Sequence, residues 1–146
     1  MLVDRSGTSI LELSLVAPLM VLMVCGAGDA AVGFARKLAL QQAAARAVEM
    51  TLAAGLTTTM DTVARSEAAG AAGVPLAQVA VAKWLECNGT VMSSIDDICA
   101  SGIPARFVSV RVTDTYSSAF RSLLSGMGAG NWSAVPLTGF AEARVQ

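Results

Sequence analysis

Residues 5–35 read RSGTSILELSLVAPLMVLMVCGAGDAAVGFA, and this stretch decides the fold of the chain. It carries no charge between Leu13 and Gly28, and it stays small and apolar after Asp29. A helix needs about 20 apolar residues to cross the hydrocarbon of a membrane. With a few residues added at either end, the stretch predicts a transmembrane helix. Glu12 and Asp29 would then lie near opposite interfaces, where a charge costs less than at mid-bilayer.

The composition of all 146 residues also favours a membrane protein over an ordinary soluble domain. Mean hydropathy is +0.60, hydrophobic residues make up 54% and charged residues only 14%. The net charge of −1 leaves no basic surface to attract nucleic acid, which argues against that class of partner. The chain has no histidine, and its sequence contains no nucleophile elbow and no catalytic constellation of paired acids. We therefore expect no enzyme activity, no catalytic residue, no metal site and no cofactor.

A secretory signal peptide is the main alternative for the N-terminal segment. Arg5 would be its basic region, and the small residues from Gly26 to Ala31 would hold its cleavage site. The segment does not end cleanly, however, because residues 34–54 continue in helix-forming types without a breaker. Within them a mostly apolar stripe recurs at helical spacing, formed by Leu38, Gln41, Gln42, Ala45, Val48 and Leu52. One continuous helix from about Thr8 to Ala54 is the simpler interpretation.

Two features of this helix bear on how it packs. Pro18 removes a backbone hydrogen bond and is expected to kink or loosen the helix. Small residues dominate the second half of the span, and such residues let helices approach closely in lipid. The small residues expected to pack are Gly26, Ala27, Ala30 and Gly33. The alternative is a thin anchor that has no specific partner.

The C-terminal region alternates between helix and strand signals. A second helix is predicted over Asp61–Ala72, with Gly73 as its stop. Strands are predicted where apolar residues alternate with polar or small ones, over Gln78–Cys87, Phe107–Thr113 and Gly139–Val145. The predicted fold class is α+β. A long N-terminal transmembrane helix is followed by a small antiparallel sheet of about three strands packed on helix.

Two of the three cysteines lie close together in the polar half of the chain. Cys87 is followed at once by Asn88-Gly89, a strong turn signal, and Cys99 comes soon after. In an exported domain this pair indicates a disulfide that closes a short loop, whereas in a cytosolic protein both would be free thiols. The membrane segment favours export. Cys25 lies in the apolar run, and the sequence assigns it no role.

The N-terminal motif resembles a known processing site. Gly7, Thr8-Ser9-Ile10-Leu11 and Glu12, followed by an apolar helix, resemble the cleavage site of type IV pilin-like proteins. The wider pattern resembles the TadE-like minor pilins (pseudopilins) of the tight-adherence, or Flp, pilus system. That pattern is a short leader, an apolar helix running into an alanine- and arginine-rich segment over residues 34–50, and a small cysteine-bearing β region. Leu13 stands where the family often has an aromatic residue.

The resemblance implies an order of events. A prepilin peptidase would cut between Gly7 and Thr8, which gives a leader over residues 1–7, a transmembrane and assembly helix over 8–55 and an exported, periplasmic α+β domain over 56–146. The new Thr8 amine would pair with Glu12 of an adjacent subunit, so that two costly charges compensate each other. Without such a partner, Glu12 would simply reach the cytoplasmic interface.

The resemblance also implies partners and a location. The partners would be the prepilin peptidase, other minor pilins, the inner-membrane pilus assembly machinery and, as a further candidate, the major pilin. The protein would reside in the bacterial inner membrane with its C-terminal domain in the periplasm, and a cell-surface pilus is a further candidate location. Its role would be to prime or cap a filament for surface adhesion.

A second hypothesis is an uncleaved single-span membrane protein whose exported domain binds a ligand or an envelope partner. The basic residues Arg36, Lys37 and Arg46 follow the span, and taken alone they favour the opposite orientation. The glycine-to-glutamate motif and the cysteine pair favour an exported C-terminal region. The intact mass of the protein separates these hypotheses.

Overall fold

The computed structural model describes residues 6–55, 59–120, 125–126 and 134–145, and for residues 6–9 it describes the backbone alone. The predicted fold class is confirmed, since a long apolar helix precedes a second helix and a small antiparallel sheet. The elements are α1 (Ser6–Ala54), α2 (Met60–Ala72), a 3₁₀ turn (Leu76–Gln78), β1 (Val79–Cys87), β2 (Thr90–Val91), β3 (Pro104–Tyr116) and β4 (Val135–Arg144).

The chain divides into two compact units. The first comprises residues 1–34 and 117–133, and the second comprises residues 35–116 and 134–146. Helix α1 contributes its N-terminal part to the first unit and its C-terminal part to the second. The division into leader, assembly helix and exported domain stays a prediction.

Helix α1 runs for 49 residues and continues through Pro18. Every side chain from Ile10 to Val24 is exposed, including leucines, valines and methionines. The helix is long and apolar enough to cross a membrane, and its most apolar stretch has no cover from the rest of the chain. An uncovered apolar surface of this size is typical of a helix that meets lipid or other helices.

Helix α2 confirms the predicted second helix almost residue for residue. It runs from Met60 to Ala72 and is capped by Gly73, whose φ of 64° places it in the left-handed conformation. A residue in this conformation ends a helix, and amides beyond it can then donate hydrogen bonds to the free carbonyl groups of the last turn. Accordingly, the amide of Val74 donates to the carbonyl of Ala69 at 3.1 Å.

The four strands form one antiparallel sheet in the order β2-β1-β3-β4. β3 is central, and its Val112 lies opposite Val79 of β1 and Gly139 of β4. The three predicted strands are all present; β3 extends three residues further at each end than predicted, and β2 is an additional short strand. Asn88 and Gly89 join β1 to β2 with φ values of 52° and 82°, which is the geometry of a two-residue hairpin turn.

One face of the sheet packs on the C-terminal part of α1 and on α2. The predicted alternation in β3 is confirmed, because Val108, Val110 and Val112 are fully buried. The helices contribute mainly alanines to this core. The helical residues of the core cluster are Leu40, Ala43, Ala44, Ala47, Val48, Met60, Ala68, Ala69 and Ala72.

The stripe that the sequence indicated on α1 is not the one that packs on the sheet. Of its six residues only Val48 is buried, while Leu38, Leu52 and the other three are exposed. The reason is the close approach of the helix to the sheet. Gly139 of β4 is buried against the backbone of Leu40, and a Cβ atom there would overlap the Leu40 carbonyl. At such a distance alanine fits where a larger apolar side chain would not.

Candidate assembly site

The predicted cleavage and pairing residues lie at the start of α1. Gly7 and Thr8 have helical backbone, and their side chains lie outside what the structure describes. Glu12 lies one turn after Thr8, so the two positions share a helix face. The Glu12 side chain is exposed, and none of the ion pairs found among the described residues involves it. Its carboxylate is therefore available to a charge on another chain.

The predicted packing residues occupy the second half of the apolar stretch. Gly26, Ala30 and Gly33 recur at intervals of four and three, which places them on one face of α1. Around Gly26 no heavy atom lies within 4 Å of the place where a Cβ would stand, apart from its own helix backbone. Ala27 and Ala30 are exposed, and Gly33 is partly covered. Another helix could approach the Gly26–Ala30 surface closely.

A polar contact marks the end of the apolar stretch. The backbone amide of Ala119 donates a hydrogen bond to Oδ1 of Asp29 at 2.9 Å. Both residues belong to the first unit, and both Cys25 and Asp29 are partly buried on the same face of the helix. A peptide group and a carboxylate that meet in this way suit an aqueous interface and not hydrocarbon. The exposed apolar stretch before Asp29, residues 10–28, is close to the ~20 residues that a span needs.

Arg36 connects three elements of the second unit. Its Nε donates to Oδ2 of Asp114 in β3 at 2.7 Å, and its second terminal nitrogen lies 2.6 Å from the same oxygen. The remaining terminal nitrogen donates to the carbonyl of Ala72, the last residue of α2, at 2.8 Å. Helix-end carbonyls lack partners within their own helix, and cations are favourable there. Arg36 thus binds α1 to β3 and to the end of α2.

The environment of Asp114 favours its charged form. Partial burial alone would raise the pKa of its carboxyl group, but three contacts lower it by more. They are the hydrogen bond from the Thr115 amide, the hydrogen bond from Arg36 and the positive charge of Arg36. The resulting pKa lies below the ordinary value of 3.8. Sequence analysis missed this pair, because 78 residues separate its members and no local pattern links them.

Two further ion pairs hold the helices and the sheet together. Nε of Arg46 in α1 lies 2.8 Å from Oε1 of Glu67 in α2. Nζ of Lys83 in β1 lies 3.0 Å from Oδ2 of Asp61, at the start of α2. Arg36 and Arg46, two of the three basic residues that follow the apolar stretch, are therefore ion-paired inside the second unit. They belong to a folded domain and not to a short charged loop of the kind that sets orientation.

A disulfide joins Cys87 and Cys99, with 5.6 Å between their Cα atoms. It closes a loop that starts at the end of β1 and contains β2. Asn88 supports this loop by donating from Nδ2 to the carbonyl of Ser101 at 3.4 Å, and its side chain leaves no room for a Cβ at Gly102. Cys25 is a free thiol.

Two side-chain pairs that include aromatic rings lie on the face of the sheet opposite the helices. Trp84 stacks on Phe107, its cross-strand neighbour, with 5.4 Å between ring centroids. Its Nε1 donates to Oε1 of Glu86 at 2.9 Å. Arg111 lies over the ring of Phe140, at 5.5 Å from the centroid. In each pair the two side chains come from neighbouring strands, and such cross-strand contacts stabilise the strand pairing.

Among the described residues, no three side chains of histidine, cysteine, aspartate or glutamate come together as metal ligands would. Two cavities lie beside the helices of the second unit. One of them, of about 180 Å³, is lined mainly by apolar side chains, among them Met50, Met60 and Val63. The notable feature of the chain remains the N-terminal part of α1, a long surface that is apolar and uncovered.

The comparison with known proteins identifies this same segment. Residues 7–49 match the family model of TadE-like proteins. The match begins at the glycine of the predicted cleavage site, includes Glu12 and ends within the part of α1 that packs on the sheet. No curated protein and no solved structure matches the chain. The predicted resemblance is confirmed for this segment.

Proposed function

We propose that this chain, TadE-like over residues 7–49, is a minor pilin (pseudopilin) of a Tad/Flp pilus system. A prepilin peptidase would remove residues 1–7. The remaining chain would assemble through α1 with other minor pilins and the inner-membrane assembly machinery, and it would prime or cap a filament that serves surface adhesion. The observation that carries the proposal is the TadE-like match, which spans the motif Gly7–Glu12 and the uncovered helix behind it.

The exposed surface of α1 supports assembly through this helix. From Ile10 to Val24 the helix buries no side chain against its own chain. In the membrane, lipid covers this surface; in a filament, neighbouring helices would replace the lipid. Small residues at Gly26 and Ala30 would let the backbones approach, which favours van der Waals packing between helices.

A pairing between Glu12 and the Thr8 amine would make assembly specific. Cleavage after Gly7 would create a positive charge at the N-terminus of a helix, where the helix dipole is already positive. Glu12 is an exposed carboxylate one turn further on. When two such helices lie side by side with a small axial shift, the amine of one meets the carboxylate of the other. Each charge then leaves water with a partner, which lowers its desolvation cost.

Two observations support a periplasmic C-terminal domain. The disulfide between Cys87 and Cys99 suits an oxidising compartment. Arg36 and Arg46 are engaged in ion pairs of the folded second unit, so the argument that they should retain the domain in the cytoplasm loses weight.

The intact mass of the protein, extracted from membranes of its native host, tests the processing step. We expect the loss of residues 1–7. Retention of those residues would support the uncleaved membrane protein instead, and a cut near Ala31 would indicate an ordinary signal peptide. A matched pair of variants sharpens the test: Gly7→Val should keep its leader, whereas Gly28→Val, the same change at an open position of the same helix, should still be processed.

Glu12 is tested by co-assembly. Glu12→Ala and Glu12→Gln should be cleaved normally but should be recovered with partner pilins several-fold less often than the unchanged protein. Glu49→Gln, which alters an exposed glutamate far along the same helix, is the control and should co-assemble normally. Normal filaments with Glu12→Ala would contradict the pairing role.

A further inference from the structure

The C-terminal part of α1 has a second apolar face that the sheet does not cover. Within residues 35–54, the face that meets the sheet is made by Leu40 and a series of alanines. Leu38 and Leu52 lie elsewhere on the helix and are 58% and 41% exposed. Gln41 and Ala45 are exposed between them. We call these four residues, Leu38, Gln41, Ala45 and Leu52, the α1 seam.

The spacing of the α1 seam is that of a coiled coil. Leu38, Ala45 and Leu52 are seven residues apart, and Gln41 follows the first of them by three. At 100° per residue, the four positions fall within about 60° of arc. A row of apolar residues at this spacing is what two helices need in order to pack knobs into holes.

The same heptad frame continues upstream through the membrane stretch. If Leu38 is taken as position a and Gln41 as position d of a heptad, every a and d position from Ile10 to Phe34 is apolar. In the sequence, the α1 seam therefore continues the heptad frame of a stretch whose side chains from Ile10 to Val24 are all exposed. Gln41 is the one polar residue in the frame between Ile10 and Leu52.

We propose that the α1 seam docks against the α1 seam of a second copy of this chain, in a parallel two-stranded coiled coil at the membrane surface. The shared anchor argues for a second copy. Two copies inserted in the same orientation present their seams parallel and at the same height, and confinement to one bilayer raises their effective concentration.

Gln41 and Ala45 give this pairing its register. In a parallel pair the two Gln41 side chains face each other and can hydrogen-bond, and a single polar core residue of this kind selects the aligned register at some cost in stability. Ala45 is small enough for the helices to lie close together. Val48, the next core position, is buried in the chain's own core, so from Leu38 to Leu52 contact between copies is made through the four seam residues.

The α1 seam is short, and this decides how the pairing must be tested. Its 38–52 range makes about two heptads, roughly 20 Å of helix, which is too little for a stable association in free solution. The pairing thus depends on the membrane anchor and calls for the full chain in a bilayer. It does not depend on removal of the leader, and so it stands or falls separately from the proposed processing.

The test is disulfide cross-linking in membranes, with the full chain expressed in a host that has no Tad system. In a Cys25→Ser background, Ala45→Cys places a thiol in the α1 seam. Ala53→Cys places the same thiol at an exposed alanine of the same helix, one position beyond the seam's last leucine and turned away from it. With a mild oxidant we expect a product of twice the chain's mass from Ala45→Cys, at least fivefold more than from Ala53→Cys. Equal yields from the two variants would overturn the proposal, and so would a product that joins Ala45→Cys only to a different protein.

A second experiment places a charge in the α1 seam. Leu38→Asp in the Ala45→Cys protein should lower the cross-linked fraction at least fivefold, because two carboxylates would then face each other in the paired helices. The side chain of Leu38 is mostly exposed in the single chain, so the fold should persist. The control is Leu76→Asp, an equally exposed leucine of the 3₁₀ turn, which should leave cross-linking unchanged. Unchanged cross-linking with Leu38→Asp would contradict the seam. Because the host has no Tad system, the leader should stay on the chain in every sample, so this test addresses the seam alone and the intact mass from the native host addresses processing.

Discussion

Gly139 of β4 lies directly against the backbone of Leu40 in α1, and this contact sets the distance between helix and sheet. A Cβ atom at position 139 would overlap the carbonyl group of Leu40. We expect Gly139→Ala to destabilise the second unit by about 1–3 kcal/mol, since the helix must move away from a closely packed sheet. Chemical denaturation of the detergent-solubilised protein in a Trp132→Phe background, followed by the fluorescence of Trp84, measures this change.

Gly70→Ala is the matched control for Gly139→Ala. Gly70 lies inside α2, and nothing outside its own helix backbone occupies the space that its Cβ would take. Alanine is the better helix former by about 1 kcal/mol, so Gly70→Ala should stabilise the protein. If both variants shift the unfolding midpoint in the same direction, the close approach at Gly139 does not control the packing.

The ion pair between Arg36 and Asp114 makes stability depend on pH. The pKa of Asp114 is lower in the folded protein than its ordinary value of 3.8. The unfolded chain therefore binds a proton more readily, and the stabilisation is complete above pH 3.8 and is lost as the pH falls below it through the folded pKa. We expect Asp114→Asn to remove this acid dependence and to lower the free energy of unfolding by about 1–2 kcal/mol near neutral pH. Unfolding curves between pH 2 and 7 would show it.

Two variants separate this pair from general charge effects. Arg36→Lys keeps the charge but loses the planar guanidinium group that reaches both Asp114 and the Ala72 carbonyl, so it should recover only part of the stability. Asp96→Asn alters an exposed aspartate of the disulfide-closed loop and should change the acid dependence little. If Asp114→Asn shows the same acid dependence of stability as the unchanged protein, that dependence arises from other carboxylates.

The sequence predicts those parts of the fold in which each residue's neighbours in sequence determine its place. β3 is an example, because its valines alternate with polar residues and strand geometry then places them on one face. The stop of α2 at Gly73 and the turn at Asn88-Gly89 follow from the same local chemistry. The motif Gly7–Glu12 also stands out locally, and its cleavage and pairing roles remain predictions.

The packing face of α1 could not be predicted in this way. Hydrophobicity points to Leu38 and Leu52, yet the sheet selects alanines, because its backbone comes close to the helix at Gly139. That closeness is a property of the tertiary structure. The contact between Arg36 and Asp114 likewise joins two positions that have nothing in common in the sequence.

The hydrogen bond from Ala119 to Asp29 lies where the apolar stretch of α1 ends. Because a peptide group meets a carboxylate there, we expect the hydrocarbon to end before Asp29. Val21 and Val32 are valines on either side of this limit, and they are 60% and 58% exposed in the chain. If the C-terminal domain is periplasmic as proposed, Val32→Cys in a Cys25→Ser background should react in intact membranes with a membrane-impermeant maleimide added from the periplasmic side, whereas Val21→Cys should not.

Denaturation in SDS provides the control for this labelling, since both thiols should then react alike. Rapid labelling of Val21→Cys in intact membranes would mean that the span lies elsewhere. Protection of Val32→Cys would mean that the hydrocarbon extends beyond Asp29 or that the domain faces the cytoplasm, and labelling of inverted vesicles separates the two outcomes.

The disulfide joins Cys87 and Cys99, which lie 12 positions apart in the sequence, and so closes a short loop. In the chain-entropy account, closing a loop of this size stabilises the folded state by about 2–3 kcal/mol, because the unfolded chain has fewer conformations. We expect Cys87→Ser with Cys99→Ser to lower the free energy of unfolding by that amount, and a reducing agent to have the same effect on the unchanged protein. Cys25→Ser removes the free thiol of the apolar helix and should change neither value. If the reducing agent destabilised the double variant as much as the unchanged protein, it would not be acting through this disulfide.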